Sequence, residues 1–244
     1  MKVSFIIPFH NEEKNAGPML EQLITIGEKK GWTVEIIPVN DKSSDTTGKI
    51  LDAYGKKYKS IHPVHRKKNS EEMGNTMGKA LCEGTLKAKG DIVIWTMGDR
   101  SDESSTYAKI INQISSGYDI VFASRYMRGG SKGNLDNLKA FLSQWGTNLA
   151  RCMFGVPVHD ITNAFRGFKR EVFIKVKPSA PDFAVSPEFA IRAYMSGYRL
   201  GEVPTVYHNR TEGISNFKLF KMTRSYLSIY ILLFLHYRIL KKKT

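Results

Sequence analysis

Carboxylates and hydroxyls crowd into one short segment, Gly98-Asp99-Arg100-Ser101-Asp102-Glu103, directly after an apolar run. The run, residues 92–97, is short and rich in β-branched residues, which is typical of a buried strand. Ligands of open α/β sheets bind where strands end, and a carboxylate there can hold a divalent cation that in turn holds a phosphate. The same residues also suit a turn, or an N-cap in which Ser101 or Asp102 precedes a helix beginning near Glu103.

Two earlier apolar runs end in polar residues as well. Residues 3–9 precede His10-Asn11-Glu12-Glu13, and residues 33–39 precede Asn40-Asp41-Lys42. Successive parallel strands point the same way, so His10, Asp41 and Asp99 are predicted to converge at one sheet edge, where carboxylates suit the hydroxyl and base groups of a nucleotide. Taken singly, Asp41 can be a helix cap and His10 an ordinary surface residue.

Strands and helices alternate regularly along the chain around these strand ends. This alternation predicts an α/β fold with a doubly wound, mostly parallel sheet in a single domain. The predicted strands are residues 3–9, 33–39, 60–65, 92–97, 119–124 and 199–208. The predicted helices are residues 16–30, a segment through residues 50–54, and residues 74–89, 107–114, 135–154 and 187–196.

The totals exclude several classes of protein. The 244 residues are 41% hydrophobic and 25% charged, which is typical of a folded chain. The net charge of +14 favours a polyanionic partner, whether nucleic acid, anionic lipid or a phosphorylated substrate. Two cysteines without close partners predict a reduced, cytosolic chain, and the N-terminus does not read as a signal peptide. No G-x-G-x-x-G follows the first strand and no P-loop sequence occurs, which argues against a dinucleotide oxidoreductase and a P-loop ATPase.

The composition changes at the C-terminus, so we divide the chain at residues 1–215 and 216–244. At about 100° per residue, basic and apolar side chains of the tail fall on opposite arcs, and residues 225–237 lack any acid, Lys or Arg. The apolar stretch is too short to span a bilayer, so we expect a basic amphipathic helix on an anionic membrane surface. The alternative is a helix packed on the core of the domain or in a dimer.

Five sequence blocks, in order and with matching spacing, resemble inverting glycosyltransferases of family 2, and in particular the dolichyl- and polyprenyl-phosphate mannosyl- and glucosyltransferases. The resemblance covers residues 3–218. The blocks are VSFIIPFHNEEKN, EIIPVNDKSSDTT, GDIVIWTMGDRSDES, FASRYMRGG with DITNAFRGFKREVF, and GEVPTVYHNRTEGISNFK.

The resemblance implies a GT-A-type fold and a Mg²⁺ or Mn²⁺ ion. Asp99 matches the second acid of the family's D-x-D motif, Ser101 falls where some members use a polar ligand, and the first acid is replaced by Met97, which cannot ligate a hard cation. By position, the residues implied to line the nucleoside pocket are Pro8, His10, Glu12, Val39, Asp41 and Asp99.

The resemblance also implies residues near the phosphates and the acceptor. Asp160 is the candidate for a role near the acceptor or donor sugar, with bracing of its own loop as the alternative. The positions that match phosphate contacts are Arg125, Arg210, Ser215 and Lys218, and Lys218 can also be a solvated surface residue. We expect His159 and His208 to be structural.

The leading hypothesis is transfer of mannose or glucose from a GDP- or UDP-sugar to a polyprenyl or dolichyl phosphate, at the cytoplasmic face of a membrane to which the protein binds peripherally. One alternative is a family 2 enzyme that glycosylates a glycan or cell-surface polysaccharide, which would need a general base such as Asp160. A more remote alternative is a basic nucleic-acid-binding module, but the sequence lacks a recognisable helix-turn-helix, zinc finger or RNA-recognition signature. Self-association stays open, and no nucleic acid partner is expected.

Overall fold

Seven strands form one sheet in the computed structural model, which describes residues 1–67, 76–208 and 219–240. They are β1 (Lys2–Phe9), β2 (Thr33–Asp41), β3 (Val64–Arg66), β4 (Ile92–Trp95), β5 (Ile120–Ser124), β6 (Arg166–Lys169) and β7 (Leu200–Pro204). Their order across the sheet is β3-β2-β1-β4-β6-β5-β7. Only β6 is antiparallel to its neighbours, β4 and β5, so the described chain confirms the predicted mostly parallel α/β sheet in one domain.

Helices cover both faces of this sheet. In chain order they are α1 (Glu13–Lys30), α2 (Thr47–Lys57), α3 (Met77–Lys87), α4 (Thr106–Ser115), α5 (Asn137–Phe154), α6 (Arg170–Val176), α7 (Val185–Met195) and α8 (Leu219–Phe234), which continues as a π-helix over Leu235–Leu240. Helices α1, α2 and α4 pack on one face, with Phe5 and Ile7 of β1. The other described helices pack on the opposite face, with Ile6. The period-two alternation of side chains along β1 therefore feeds two cores.

Several predicted bounds move for identifiable reasons. The third strand begins at Val64, after Pro63, and the last strand ends at Pro204. The helix expected near Glu103 begins at Thr106, so the capping roles considered for Ser101 and Asp102 are wrong. Asp41 likewise caps no helix, since α2 begins six residues later.

The segment that contains β6 and α6 was not predicted to form either element. A strand of four residues is too short to show a period, and its sequence, Arg-Gly-Phe-Lys, begins and ends with cations. Its pairing between β4 and β5 is nevertheless regular, with Trp95 and Phe122 both opposite Arg166. This segment therefore forms a strand because of its long-range pairing with β4 and β5, and not because of its local sequence.

Helix α8 has one face in the core and one in solvent. Met222, Tyr226, Tyr230 and Leu233 are buried, and the Tyr230 hydroxyl donates to the main-chain oxygen of Gly146 in α5 at 3.0 Å. This is the packing that the alternative for the tail predicted. On the other face Ile231 and Leu232 are 57% and 56% exposed. In the part of the chain that the structure describes, we find no helix with the length and hydropathy needed to cross a membrane.

Candidate active site

The ends of β1 and β2 are joined directly. The Nδ1 atom of His10 lies 2.6 Å from the main-chain oxygen of Asp41. Asn11 accepts from the main-chain N–H of Ser44 at 2.7 Å, and its own N–H donates to the Ser43 hydroxyl at 3.0 Å. The loops that follow the two strands are therefore joined into one edge by hydrogen bonds, as predicted from the strand directions.

The end of β4 comes against the same edge through a glycine. A Cβ atom at Gly98 would lie 2.6 Å from the Phe9 ring and 2.9 Å from the main-chain oxygen of Pro8. Only glycine permits this approach, which brings the following residue, Asp99, next to the end of β1. All three predicted strand ends thus meet.

Backbone strain is concentrated at these strand ends. Asn11, Lys42 and Arg100 have φ angles of 55°, 61° and 60°, each shortly after β1, β2 or β4. Such left-handed conformations cost about 1–3 kcal/mol for residues other than glycine, and they cluster at functional sites because the surroundings hold them in place. Their position is independent support for a functional edge.

Two carboxylates occupy the turn after β4. Asp99 is 5% exposed, and its Oδ1 accepts from the Ser101 N–H at 3.1 Å and hydroxyl at 2.7 Å. The Oδ2 of Asp102 accepts from the Met97 N–H at 2.9 Å and the Thr96 hydroxyl at 2.8 Å. Burial, and then the charge of Asp99, raise the pKa of Asp102 to about 7. Although Met97 supplies no acid, the Asp102 carboxylate lies against its main chain.

Asp41 is already engaged by residues that the sequence analysis missed. Its carboxylate accepts from Arg66 Nη1 at 2.6 Å and from the Thr76 hydroxyl at 2.7 Å. Arg66 also donates to Glu83 at 2.8 Å. Arg66 ends β3 directly opposite Asp41 in the parallel register, so strand pairing could have identified it once the order of β2 and β3 was known.

The other residues expected around the nucleoside differ in their surroundings. His10 is exposed at the edge, whereas Pro8 is buried at the end of β1. The main-chain N–H of Glu12 donates to the Thr47 hydroxyl at 2.9 Å, which fixes the loop after β1. Val39 is fully buried and its side chain belongs to the hydrophobic core, so the structure places only its main chain near the edge.

Asp160 and Arg125 form a buried pair. Asp160 is 0% exposed and accepts from Arg125 Nε at 2.7 Å, Nη2 at 3.0 Å and the main-chain N–H at 3.1 Å. The Thr162 hydroxyl and the Asn163 N–H each add a bond at 3.2 Å. Burial alone would lower the pKa of Arg125, but the Asp160 carboxylate raises it above its ordinary value. The hydrogen bonds of the Asp160 carboxylate thus hold Arg125 and the turn that contains Asp160.

One cleft, which we name the α5–α8 cleft, is lined by these polar groups and by apolar helix residues. Among the described residues, Arg125 donates through Nε and Nη2, and no bond is found for Nη1. The polar lining includes Asp99, Ser101, Asp102, Arg125, Lys139 and Asn163. The apolar lining includes Leu135, Leu142, Trp145, Phe183, Met222 and Tyr226.

Three candidate phosphate contacts, Arg210, Ser215 and Lys218, lie outside the described residues. His159 faces Glu202 on the surface, with its Nδ1 2.5 Å from Oε1. The main-chain N–H of His208 donates to Ser101 at 3.0 Å, which ties the segment after β7 to the Asp99 turn. Neither histidine side chain lines the α5–α8 cleft.

The fold is similar to that of a solved GT-A glycosyltransferase. The crystal structure of glucosyl-3-phosphoglycerate synthase from Mycobacterium tuberculosis with Mn²⁺, UDP and phosphoglyceric acid matches with a TM-score of 0.67 and 18% identity, covering 94% of this chain and 78% of that one. A second crystal structure of that protein, with Mg²⁺ and UDP, matches with a TM-score of 0.69 and 15% identity, over the same shares of both chains. At these identities the likeness establishes the fold alone, and it confirms the GT-A expectation.

Sequence comparisons place the chain in a family. It is 28% identical over 217 residues to the polyprenol monophosphomannose synthase of Mycolicibacterium smegmatis, covering 86% of this chain and 78% of that protein. It is 30% identical over 224 residues to the dolichol-phosphate mannosyltransferase of Pyrococcus furiosus, covering 89% of this chain but 60% of that protein. A dolichyl-phosphate beta-glucosyltransferase of Trichomonas vaginalis is 27% identical over 219 residues, covering 84% of this chain and 63% of that protein. The family model described as Glycosyl transferase family 2 matches residues 4–177, so the chain belongs to this family and is a nucleotide-sugar-dependent glycosyltransferase.

Proposed function

We propose that this glycosyltransferase moves mannose or glucose from a GDP- or UDP-sugar to the phosphate of a polyprenyl or dolichyl lipid. The observation that carries the proposal is the α5–α8 cleft, which combines cationic donors with an apolar lining. Arg125 and Lys139 line the same cleft as Leu142, Trp145 and Met222. A lipid phosphate complements such a cleft, because its anionic head suits the cationic donors and its hydrocarbon chain suits the apolar lining. A glycan acceptor would present hydroxyl groups to the cationic donors and to the apolar lining alike. The similarity to a polyprenol monophosphomannose synthase and a dolichol-phosphate mannosyltransferase supports the same acceptor.

The acids after β4 fit a Mg²⁺ or Mn²⁺ ion. Asp99, Ser101 and Asp102 present hard oxygen atoms, the ligands that these cations prefer. Within residues 1–67, 76–208 and 219–240 no group of three His, Cys, Asp or Glu side chains is close enough to hold a metal ion. Mg²⁺ is commonly held by one or two carboxylates with substrate phosphates completing the shell, so the donor diphosphate would supply the remaining ligands. When bound, the cation would neutralise charge on the leaving diphosphate.

The residues of the cleft account for transfer to a phosphate without a general base. The acceptor phosphate is already ionised at neutral pH, so its oxygen attacks the anomeric carbon while the bond from that carbon to the diphosphate breaks, and no proton moves. Attack opposite the leaving group inverts the anomeric configuration. Arg125, which Asp160 holds in place, donates to the acceptor phosphate through a planar guanidinium group. Because this group is already fixed, less entropy is lost when the two anions are brought together.

The test offers labelled GDP- and UDP-sugars to the protein with polyprenyl phosphate, with and without EDTA. We expect lipid-soluble label from at least one mannosyl or glucosyl donor, and loss of that label in EDTA that excess Mg²⁺ or Mn²⁺ restores. Label in a glycan acceptor alone would contradict the lipid acceptor. Transfer that persists in EDTA would contradict only the cation at Asp99.

We further propose that the protein binds the cytoplasmic face of an anionic membrane through the exposed face of α8. Exposed Lys221 and Arg224 lie near the start of α8, and exposed Ile231, Leu232 and Leu235 lie near its end. An apolar face with neighbouring cations suits the interface of an anionic bilayer, where each basic residue near the surface adds about 1 kcal/mol.

Changing Ile231, Leu232 and Leu235 together to Ser should lower co-flotation with phosphatidylglycerol vesicles by at least about tenfold, because three apolar side chains no longer enter the bilayer. Removing the chain from Tyr226 onward is a poorer test, since Tyr226 and Tyr230 are buried in the core. The matched control changes Leu86 and Ile174, which are exposed on α3 and α6, to Ser. Equal flotation of the triple variant and the control would rule out this face.

A further inference from the structure

Arg166 is a buried cation that bonds to no described carboxylate. It begins β6, is 0% exposed, and its guanidinium carbon lies 4.6 Å from the centroid of the Phe122 ring and 5.7 Å from that of Trp95. Burial lowers the pKa of Arg166 to about 9, so the group is still protonated at neutral pH. A buried charge without a counter-ion is costly, and a fold retains one only where its hydrogen bonds are satisfied.

Main-chain carbonyl groups satisfy it. The Arg166 guanidinium donates to Ser186 at 2.7 Å, to Ile161 at 3.0 Å and to Ala164 at 3.3 Å, and it also donates to Asn163. Three of these carbonyls belong to the turn that follows Asp160, and the fourth belongs to the first turn of α7. Arg166 therefore ties the turn that carries Asp160 to the neighbouring helix.

This turn forms a wall of the α5–α8 cleft. Thr162, Asn163 and Ala164 line the cleft, and Asp160 holds Arg125 within it. Phe183, two residues before α7, lines the cleft as well. Displacing the turn would thus move Arg125 relative to the rest of the cleft.

The charges of this group do not balance. Arg125 and Arg166 contribute two positive charges and Asp160 one negative charge, and the Asp160 charge acts against the lowering of the Arg166 pKa by burial. These three residues therefore carry a net positive charge on the side of the cleft that the turn after Asp160 forms, whereas Asp99 and Asp102 line the cleft after β4. Arg166 and Asp160 are fully buried, in a medium where a charge acts over a longer range than in water. An anion in the cleft would feel this charge, whereas a neutral molecule of the same shape would not.

We infer that Arg166 is a positioning residue for the acceptor: it joins the turn of Asp160 to α7 through four carbonyl groups, and its charge makes the α5–α8 cleft select a phosphate over a neutral head group. The inference rests on the proposed lipid phosphate acceptor and goes beyond it, because it assigns selectivity to a residue that touches no substrate. Arg125 makes the contact, and Arg166 sets where Arg125 lies and how much positive charge stands behind it.

The experiment measures binding of farnesyl phosphate and of neutral farnesol, read by the fluorescence of the protein, since Trp145 lines the cleft. Arg166→Gln should weaken farnesyl phosphate binding at least about tenfold, which is the effect of roughly one lost charge interaction, and leave farnesol binding within about threefold. Arg166→Lys should preserve the preference for the phosphate. Glu188→Gln is the matched control, because Glu188 is equally buried and holds the main-chain N–H groups of Ser179 and Ala180 outside the cleft.

Equal weakening of both ligands by Arg166→Gln would reduce Arg166 to a role in shape and overturn the inference, as would unchanged binding of both. If Arg166→Gln does not fold, Arg166→Lys decides, because a tenfold loss of its phosphate preference contradicts the role of the charge. Failure of the unaltered protein to bind either ligand would overturn the proposed acceptor, a result distinct from an unchanged variant.

Discussion

Replacing Asp99 with Asn should lower kcat for sugar transfer by about a thousandfold, because an electrostatic contact to the developing charge of the leaving group is typically worth 10²–10³ in rate or more. Asp99 is nearly buried, lies at the end of β4 against β1, and accepts two bonds from Ser101 that fix its carboxylate. Asn keeps the shape and one acceptor oxygen but removes the charge that a hard cation requires. Initial rates at saturating donor, over a titration of Mn²⁺, measure the effect.

The same titration shows how much of the loss of rate comes from weaker binding of the cation. A cation held by Asp99 predicts that the Asp99→Asn variant needs a much higher Mn²⁺ concentration for half-maximal rate. Asp119→Asn is the control. Asp119 pairs with Lys169 at 2.8 Å and directly precedes β5, so it lies at the end of the sheet opposite the one that carries Asp99. If the Asp99→Asn variant has an intact circular dichroism spectrum and a rate within tenfold of that of the original protein, the proposed role of Asp99 is contradicted.

Arg125→Met should have the largest effect on stability, with a free energy of unfolding about 3–5 kcal/mol lower, because it leaves the Asp160 carboxylate charged, buried and unpaired. We also expect kcat to fall about 10²–10³-fold, because the guanidinium group that we propose to contact the acceptor phosphate is removed. Denaturant unfolding and initial rates with polyprenyl phosphate measure the two effects. The double change of Arg125 to Met and Asp160 to Leu should recover much of the stability and none of the activity.

Asp160→Asn distinguishes the two acceptor chemistries. If Asp160 only holds Arg125, the amide oxygen of Asn still accepts from the guanidinium group, while its NH2 group faces the other donors, and kcat should fall by no more than about tenfold. If Asp160 were the general base for a sugar hydroxyl, the rate would fall by about 10²–10⁴-fold. The five hydrogen bonds that Asp160 accepts favour the first result. The second result, in a folded variant that still binds donor, would support a glycan acceptor.

We could predict from the sequence alone the alternation of strands and helices, the strand ends that carry His10, Asp41 and Asp99, and the family. These features are local: an apolar run reports burial, a strand end reports the side at which ligands bind, and a motif keeps its spacing. Met97 in place of an acid was equally visible, because a single position in a known motif needs no partner to be interpreted.

Which side chains are engaged by other residues became clear only from the folded chain. Asp160 and Arg125 are 35 residues apart, and no local sequence pattern shows that the Asp160 carboxylate pairs with Arg125. The burial of Arg166 follows from β6, a strand too short to show a period and held by pairing with β4 and β5. The tail shows the same limit: its apolar residues were visible in the sequence, but the split into a buried and an exposed face of α8 depends on the packing of that helix against α5 and α7. Hydrogen bonds and burial join distant parts of a chain, so the roles of these residues are fixed only when it folds.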